Sequence, residues 1–319
     1  MDKPERPVSP FEKRTPAGSD TSEFDLARVL PKLLLIPDRA RRFSISTREA
    51  NRRFGMPLAL LEALVTDGGP SRRRRDEVYF DRHDLFNVSL HLGVGSMARV
   101  AQRTWAAAFR NALLATSGHD LEYQATCPIP GHGQACSWTL ALPGHASDDV
   151  RLHTDEGSLK YGVKVPACGE LPPAPELIAD LLEEVGSLEL MRIPPSLQGD
   201  AAFITMTGMT DCLGAAALLA DRARERGLRS RQSFGLMLAP PFANVHHWAE
   251  IEVDGVWVPF DPVMVNAMLR WRLVDPEYWH VGRSVGPLVA RVADAYVPLV
   301  RHEGAEVPAS LPMSRTAGH

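Results

Sequence analysis

Between Cys212 and Arg226 apolar and charged positions recur with helical spacing. Leu213, Ala216, Ala217, Ala220 and Ala223 share a face, while Asp221, Arg222, Glu225 and Arg226 lie mostly off it. This is the stripe of a helix that buries one side. Gly227 suits the position just past its end, with Arg224 and Arg226 in a last turn where cations complement the dipole. Thr210 or Asp211 can cap its start. Further on the period changes to two. VHHWAEIEV at 245–253 and VWVPFD at 256–261 flank Asp254-Gly255, which predicts a two-residue hairpin. That turn sets Val253 opposite Val256, Trp248 opposite Asp261 and His246 opposite Val263. Opposed residues share a face, so His246, Trp248 and Asp261 lie together and His247 points away. His246 and Asp261 become diagonal neighbours, with Cβ atoms roughly 7 Å apart or less.

Upstream, Ser46-x-x-Glu49 is a capping box that opens a helix ending near Gly55. Pro57 suits the first turn of a second helix, LALLEALVTD, that ends at Gly68-Gly69. Arg72–Arg75 then lead into a strand at 77–80, and Asp84-Leu85 opens another helical stretch. Helix, turn, helix and basic strand resemble a small winged helix-turn-helix of the excisionase and MerR-like kind. Residues 96–116 read as an amphipathic helix with Val100, Trp105, Phe109 and Leu113 toward the core. Residues 120–170 alternate short β-like runs with Gly and Pro and predict a small sheet. Residues 174–192 are helical before Gly186, and 262–302 predict further helices carrying Trp271, Tyr278, Trp279 and His280. The expected organisation is a disordered tail at 1–23, a winged-helix-like domain at 24–95, an α+β core with helical additions at 96–302, and a mobile tail at 303–319.

Composition narrows the function. The 319 residues are 45% hydrophobic with a net charge of −4, so no global field draws the chain to nucleic acid or anionic lipid. Four cysteines are too few for a disulfide scaffold. No apolar run nears a membrane span of about 20 residues, and the polar, proline-rich N-terminus carries no signal-peptide core. A cytoplasmic protein with reduced thiols is expected. Cys127-x-x-x-x-His132-x-x-x-Cys136 invites a zinc site, with Cys168 or His119 as the fourth ligand. The paired Cys-x-x-Cys spacing of structural sites is missing, so no metal is expected.

The candidate chemistry lies in Cys212, His246 and Asp261. A cysteine in the first turn of a helix meets unsatisfied N–H groups and the positive dipole end, which favour a thiolate. A thiolate attacks an acyl carbon, an imidazole moves the proton, and an aspartate holds the imidazole in the right tautomer. Trp248 would shield the pair and contact substrate. The Cys212 N–H is a candidate oxyanion donor; Gln198 reads better as an exposed loop residue.

Cys212 leading a helix, His246-His247-Trp248-Ala249-Glu250, and Trp257-Val258-Pro259-Phe260-Asp261-Pro262 resemble the core pattern of the transglutaminase-like superfamily, relatives of papain-like cysteine proteases. The resemblance covers residues 210–262. It implies a Cys-bearing helix on an antiparallel sheet, with Cys212 as nucleophile, His246 as base and Asp261 as orienting group. Two departures speak against bulk protein crosslinking. Thr210 stands where many relatives have Gly, and Leu213 where animal crosslinking enzymes have Trp. The expected function is thiol-dependent acyl transfer through an acyl-enzyme: amide formation on a peptide or carrier-protein-bound substrate in a biosynthetic pathway. Cleavage of a precursor peptide is the alternative within the class. A non-catalytic DNA- or peptide-binding regulator is the alternative outside it. No cofactor is expected, and neither nucleic acid nor membrane as partner.

Overall fold

The computed structural model describes residues 24–114, 118–129, 135–144 and 149–316; the expected tail at 1–23 lies outside these. The chain opens with α1 (Leu30–Leu34), β1 (Phe43–Ser46), α2 (Thr47–Phe54), α3 (Leu58–Thr66), β2 (Arg72–Arg74), β3 (Glu77–Asp81), α4 (Arg82–Leu92) and α5 (Gly95–Leu113). The Ser46 hydroxyl accepts the Glu49 N–H at 3.2 Å, and Gly55 closes α2 in the left-handed region at φ 65°, as the capping box predicts. Pro57 caps α3 from outside its first turn. The strands form an antiparallel sheet in the order β1-β3-β2. Ile45, Phe54, Leu60, Phe80 and Leu85 of this unit share one core with Met191, Ile193, Phe203 and Met209. The boundary drawn near 95 is therefore crossed by packing. On α5, Phe109 is buried while Val100 and Leu113 are exposed, against the expected core face.

Arg41 anchors this unit. Its Nε donates to Asp84 Oδ2 at 2.7 Å, and its other nitrogens donate to the Leu33 and Ile36 carbonyls and to Asp38. Burial pushes the Asp84 carboxyl up to about 6, against the pull of the guanidinium. Removing one partner of a buried pair strands the other. Arg41→Ala should cost about 3–5 kcal/mol, read as a lower urea midpoint at unchanged slope. Arg41→Lys should not rescue it, because a point cation cannot reproduce the fork.

The following segment gives β4 (His119–Thr126), β5 (Cys136–Leu140), β6 (Val150–Thr154) and β7 (Ser158–Val165). Next come α6 (Glu176–Gly186), β8 (Glu189–Leu190), α7 (Ala201–Thr207), β9 (Met209–Thr210), α8 (Cys212–Glu225), β10 (Ser230–Met237), β11 (Asn244–Val253), β12 (Val256–Phe260) and α9 (Pro262–Arg270). The chain ends with β13 (Val289–Ala293), β14 (Val300–His302), β15 (Ala305–Glu306) and β16 (Met313–Arg315). Antiparallel sheets run β12-β11-β10-β13, β15-β14-β5-β6 and β16-β4-β7. The fold is α+β, with α8 packed on the β10–β12 sheet through Ala215, Leu219, Ala220, Ala223, Ile251 and Val258. That buried face is rotated slightly from the predicted one, since Leu213 and Ala217 are only half-buried.

Two expectations are corrected here. Within 262–302 only α9 and a short 3-10 turn are helical; beyond them β13 adds to β10 and β14 adds to β5. Residues 303–316 do not form a loose tail, because β16 pairs with β4 through Met313–Leu121. Both pairings join segments far apart in sequence, which local periodicity does not report. Among the described residues no helix is long and apolar enough to cross a membrane.

Candidate active site

The Asp254-Gly255 turn, with φ 50° and 80°, fixes the predicted register. Val253 faces Val256, and the ladder runs to Ala249 opposite Phe260. It then departs from expectation. Pro262 starts α9, so Asp261 leaves the strand as the helix N-cap, and His246 has no strand partner at Val263. The side chains still meet: His246 Nε2 lies 2.7 Å from Asp261 Oδ2. The other carboxylate oxygen, Oδ1, accepts the Met264 N–H at 3.0 Å. One carboxylate thus holds both the ring and the start of a helix.

Cys212 is the first residue of α8. Asp211 caps that helix, its Oδ1 accepting the Gly214 N–H at 2.9 Å. The Cys212 thiol is hydrogen-bonded to the His246 ring. Because Nε2 is engaged by Asp261, Nδ1 is the nitrogen left for the sulfur. Burial alone would lower the His246 pKa; the hydrogen bond with Asp261, then that with Cys212 and both charges, raise it to about 10. His247 points to the opposite face, where its ring packs 5.0 Å from Phe234. Burial, then the charge of His246, push it down to about 4.

Trp248 is buried and stacks behind His246, ring centroids 6.3 Å apart. Its Nε1 donates to Glu250 Oε1 at 3.1 Å, and Arg231 pairs with the same carboxylate. The indole lines a different cavity from the one that holds the sulfur. Trp248 therefore shields the ring, and its expected contact with substrate is corrected. Gln198 is exposed; its amide donates to the Ile193 carbonyl at 3.3 Å, and its side chain also hydrogen-bonds Asp211, the residue before Cys212.

Cys212, His246 and Asp261 open into one cavity of about 340 Å³, within the range of small-ligand sites. Its apolar wall was not legible locally. Phe86 and Leu90 of α4, with Val100, Ala101 and Trp105 of α5, face the triad, and Arg192 stands at the rim. The Arg192 guanidinium lies over the Phe86 ring, 5.4 Å from its centroid. Val100 is exposed because it borders this cavity. Trp105 also stacks on Trp271 at 5.9 Å, tying α5 to the end of α9.

A helix-borne thiol facing a sheet-borne imidazole, itself held by a carboxylate at the start of the next helix, defines the core of a cysteine-based enzyme. Residues 176–262 match the model of the Transglutaminase-like superfamily. A crystal structure of a candidate cysteine protease from Cytophaga hutchinsonii aligns with 63% of this chain and 90% of its own, at 14% identity and a TM-score of 0.31. No curated protein matches the chain.

Proposed function

We propose that this chain is a thiol-dependent acyl transferase that forms an amide on a peptide or carrier-bound acyl substrate. The observation that carries the reading is the shared cavity, where the Cys212 sulfur, the His246 ring and the Asp261 carboxylate meet an apolar wall from the N-terminal unit. The thiolate attacks the carbonyl carbon of an amide or thioester. As the tetrahedral adduct collapses, the C–N or C–S bond breaks and the His246 imidazolium protonates the departing amine or thiol. An amine then attacks the acyl-enzyme, gives its proton to His246, and the thiolate leaves. The Cys212 N–H, at a helix start, stabilises the oxyanion. Water in place of the amine makes the same machinery a peptidase. The apolar wall favours the amine because it lowers access of bulk water to the acyl-enzyme. The N-terminal unit, read as a winged-helix relative, presents the substrate rather than a nucleic acid.

The test begins with iodoacetamide at neutral pH. Alkylation should be fast and selective at Cys212 and should slow at least about tenfold in His246→Ala. Equal, slow labelling of all four cysteines overturns the reading. Offered a thioester and then an amine, the protein should gain an acyl mass on Cys212 and release an amide; release of free acid alone selects the peptidase. Filling the cavity with Ala101→Phe should raise KM roughly tenfold or more without slowing labelling by the much smaller iodoacetamide.

A further inference from the structure

In a core separate from the one that α8 builds, Cys127 and Cys136 converge with His302. Their ligand atoms all lie within 4.8 Å of one another, and all three residues are buried. Cys127 follows the end of β4, with its N–H donating to the Gly157 carbonyl at 2.8 Å. Cys136 begins β5, and His302 ends β14, directly beside it in the sheet: His302 is opposite Trp138. The Trp138 ring meets the imidazole edge-on at 4.6 Å and is itself fixed by an Nε1 hydrogen bond to Thr154 at 2.9 Å. Glu303 accepts the Ser137 N–H at 2.7 Å, clamping β14 to β5 next to the cluster. The imidazole is thus held toward two sulfurs by packing that precedes any ligand.

The geometry points to a structural zinc site formed by Cys127, Cys136 and His302. Two thiolates and one imidazole are the donor set zinc prefers. With bonds of about 2.0–2.3 Å, tetrahedral donors sit roughly 3.3–3.8 Å apart, so the metal would draw these atoms in by about 1 Å. The Ile129 N–H points at the Cys127 sulfur at 3.4 Å, the backbone contact that steadies a metal-bound thiolate. A protonated thiol would instead turn its hydrogen to the Ile129 carbonyl at 3.3 Å. The fourth position is open to a further donor or water. His132, between the two cysteines in sequence, lies outside the described residues, and the site rests on the three donors. Cys168 and His119, which the sequence offers only as a distant fourth ligand to a site that is not expected from it, line the cavity beside Trp248 instead. The strand pairing brings in a histidine 166 residues beyond Cys136 in its place. The metal would bolt the connection after β4 to β14, closing a loop that contains the entire triad-bearing core.

The experiment measures zinc by elemental analysis in the purified full chain, before and after dialysis against EDTA. About one zinc per chain is expected, retained in Cys212→Ala, whose thiol is elsewhere, and lost in Cys127→Ser and His302→Gln. Removing it should lower Tm by at least about 5 °C, and restoring zinc should recover the loss. Cobalt(II) added to the stripped protein should give thiolate-to-metal charge-transfer absorption, a readout that does not require the variants to fold. The proposal is overturned if the unmutated protein holds only a trace of zinc and cobalt gives no such band. It also fails if the intact mass is lighter by two hydrogens, because the two sulfurs would then form a disulfide.

Discussion

Cys212→Ala should abolish turnover, by about 10⁴–10⁶-fold, and leave the fold as stable as before. Both halves follow from its position. The sulfur is the atom that bonds the acyl carbon, so nothing else in the cavity can replace it. The residue is only half-buried, and α8 keeps its Asp211 cap, so alanine costs the helix nothing. The pH profile of the unmutated protein completes the expectation. His246 is raised to about 10 because its hydrogen bonds with Asp261 and Cys212 and their two charges together outweigh its burial. The imidazolium therefore persists through neutral pH, and protonation of the leaving group fails only as pH climbs through that region. An ordinary histidine would lose its proton near 6.5. Stability carries the same sign. The contribution of the raised His246 is complete below about 6.5 and drains as pH rises toward its folded value. A single alkaline limb near neutrality, in either alkylation rate or turnover, would contradict this account.

The chain announced the two halves of that cavity unequally. Asp254-Gly255 dictates a hairpin by φ alone, and five opposed pairs follow from it; this local rule separated His246 from His247. The helix of Cys212 was equally legible, because Asp211 and the apolar stripe are local signals. The first failure came at Asp261, where Pro262 turns strand into helix. Side-chain reach preserved the pair that the ladder no longer placed. The wall made by Phe86, Leu90, Val100 and Trp105 left no local trace, since a residue facing a cavity and one facing a core share the same helical spacing. The same holds for His302 beside Cys136: a contact across that span comes from sheet order, not from spacing. Sequence therefore carried the reactive groups, while what surrounds them and what braces the sheet behind them came from long-range pairing.

Asp261→Asn should lower turnover by about 10³–10⁴-fold with little change in Tm once the pH exceeds about 10, where the raised His246 no longer contributes to stability. The aspartate does two separable jobs with two oxygens. Oδ1 accepts the Met264 N–H at the start of α9, and asparagine serves that cap as well as aspartate. Oδ2 meets His246 Nε2. An amide nitrogen there would donate to Nε2 and force the proton onto Nδ1, the nitrogen that must accept from the thiol. The ring would also lose the first of the causes that raise it, so the alkaline limb should shift to lower pH. Asp261→Ala removes both jobs and should add about 1 kcal/mol of destabilisation from the lost cap. Comparing the two variants separates catalysis from scaffolding. If asparagine keeps turnover within tenfold, the carboxylate is a helix cap that happens to touch a histidine. If asparagine fails while Tm at that high pH holds, the pairing with His246 is what the chemistry needs.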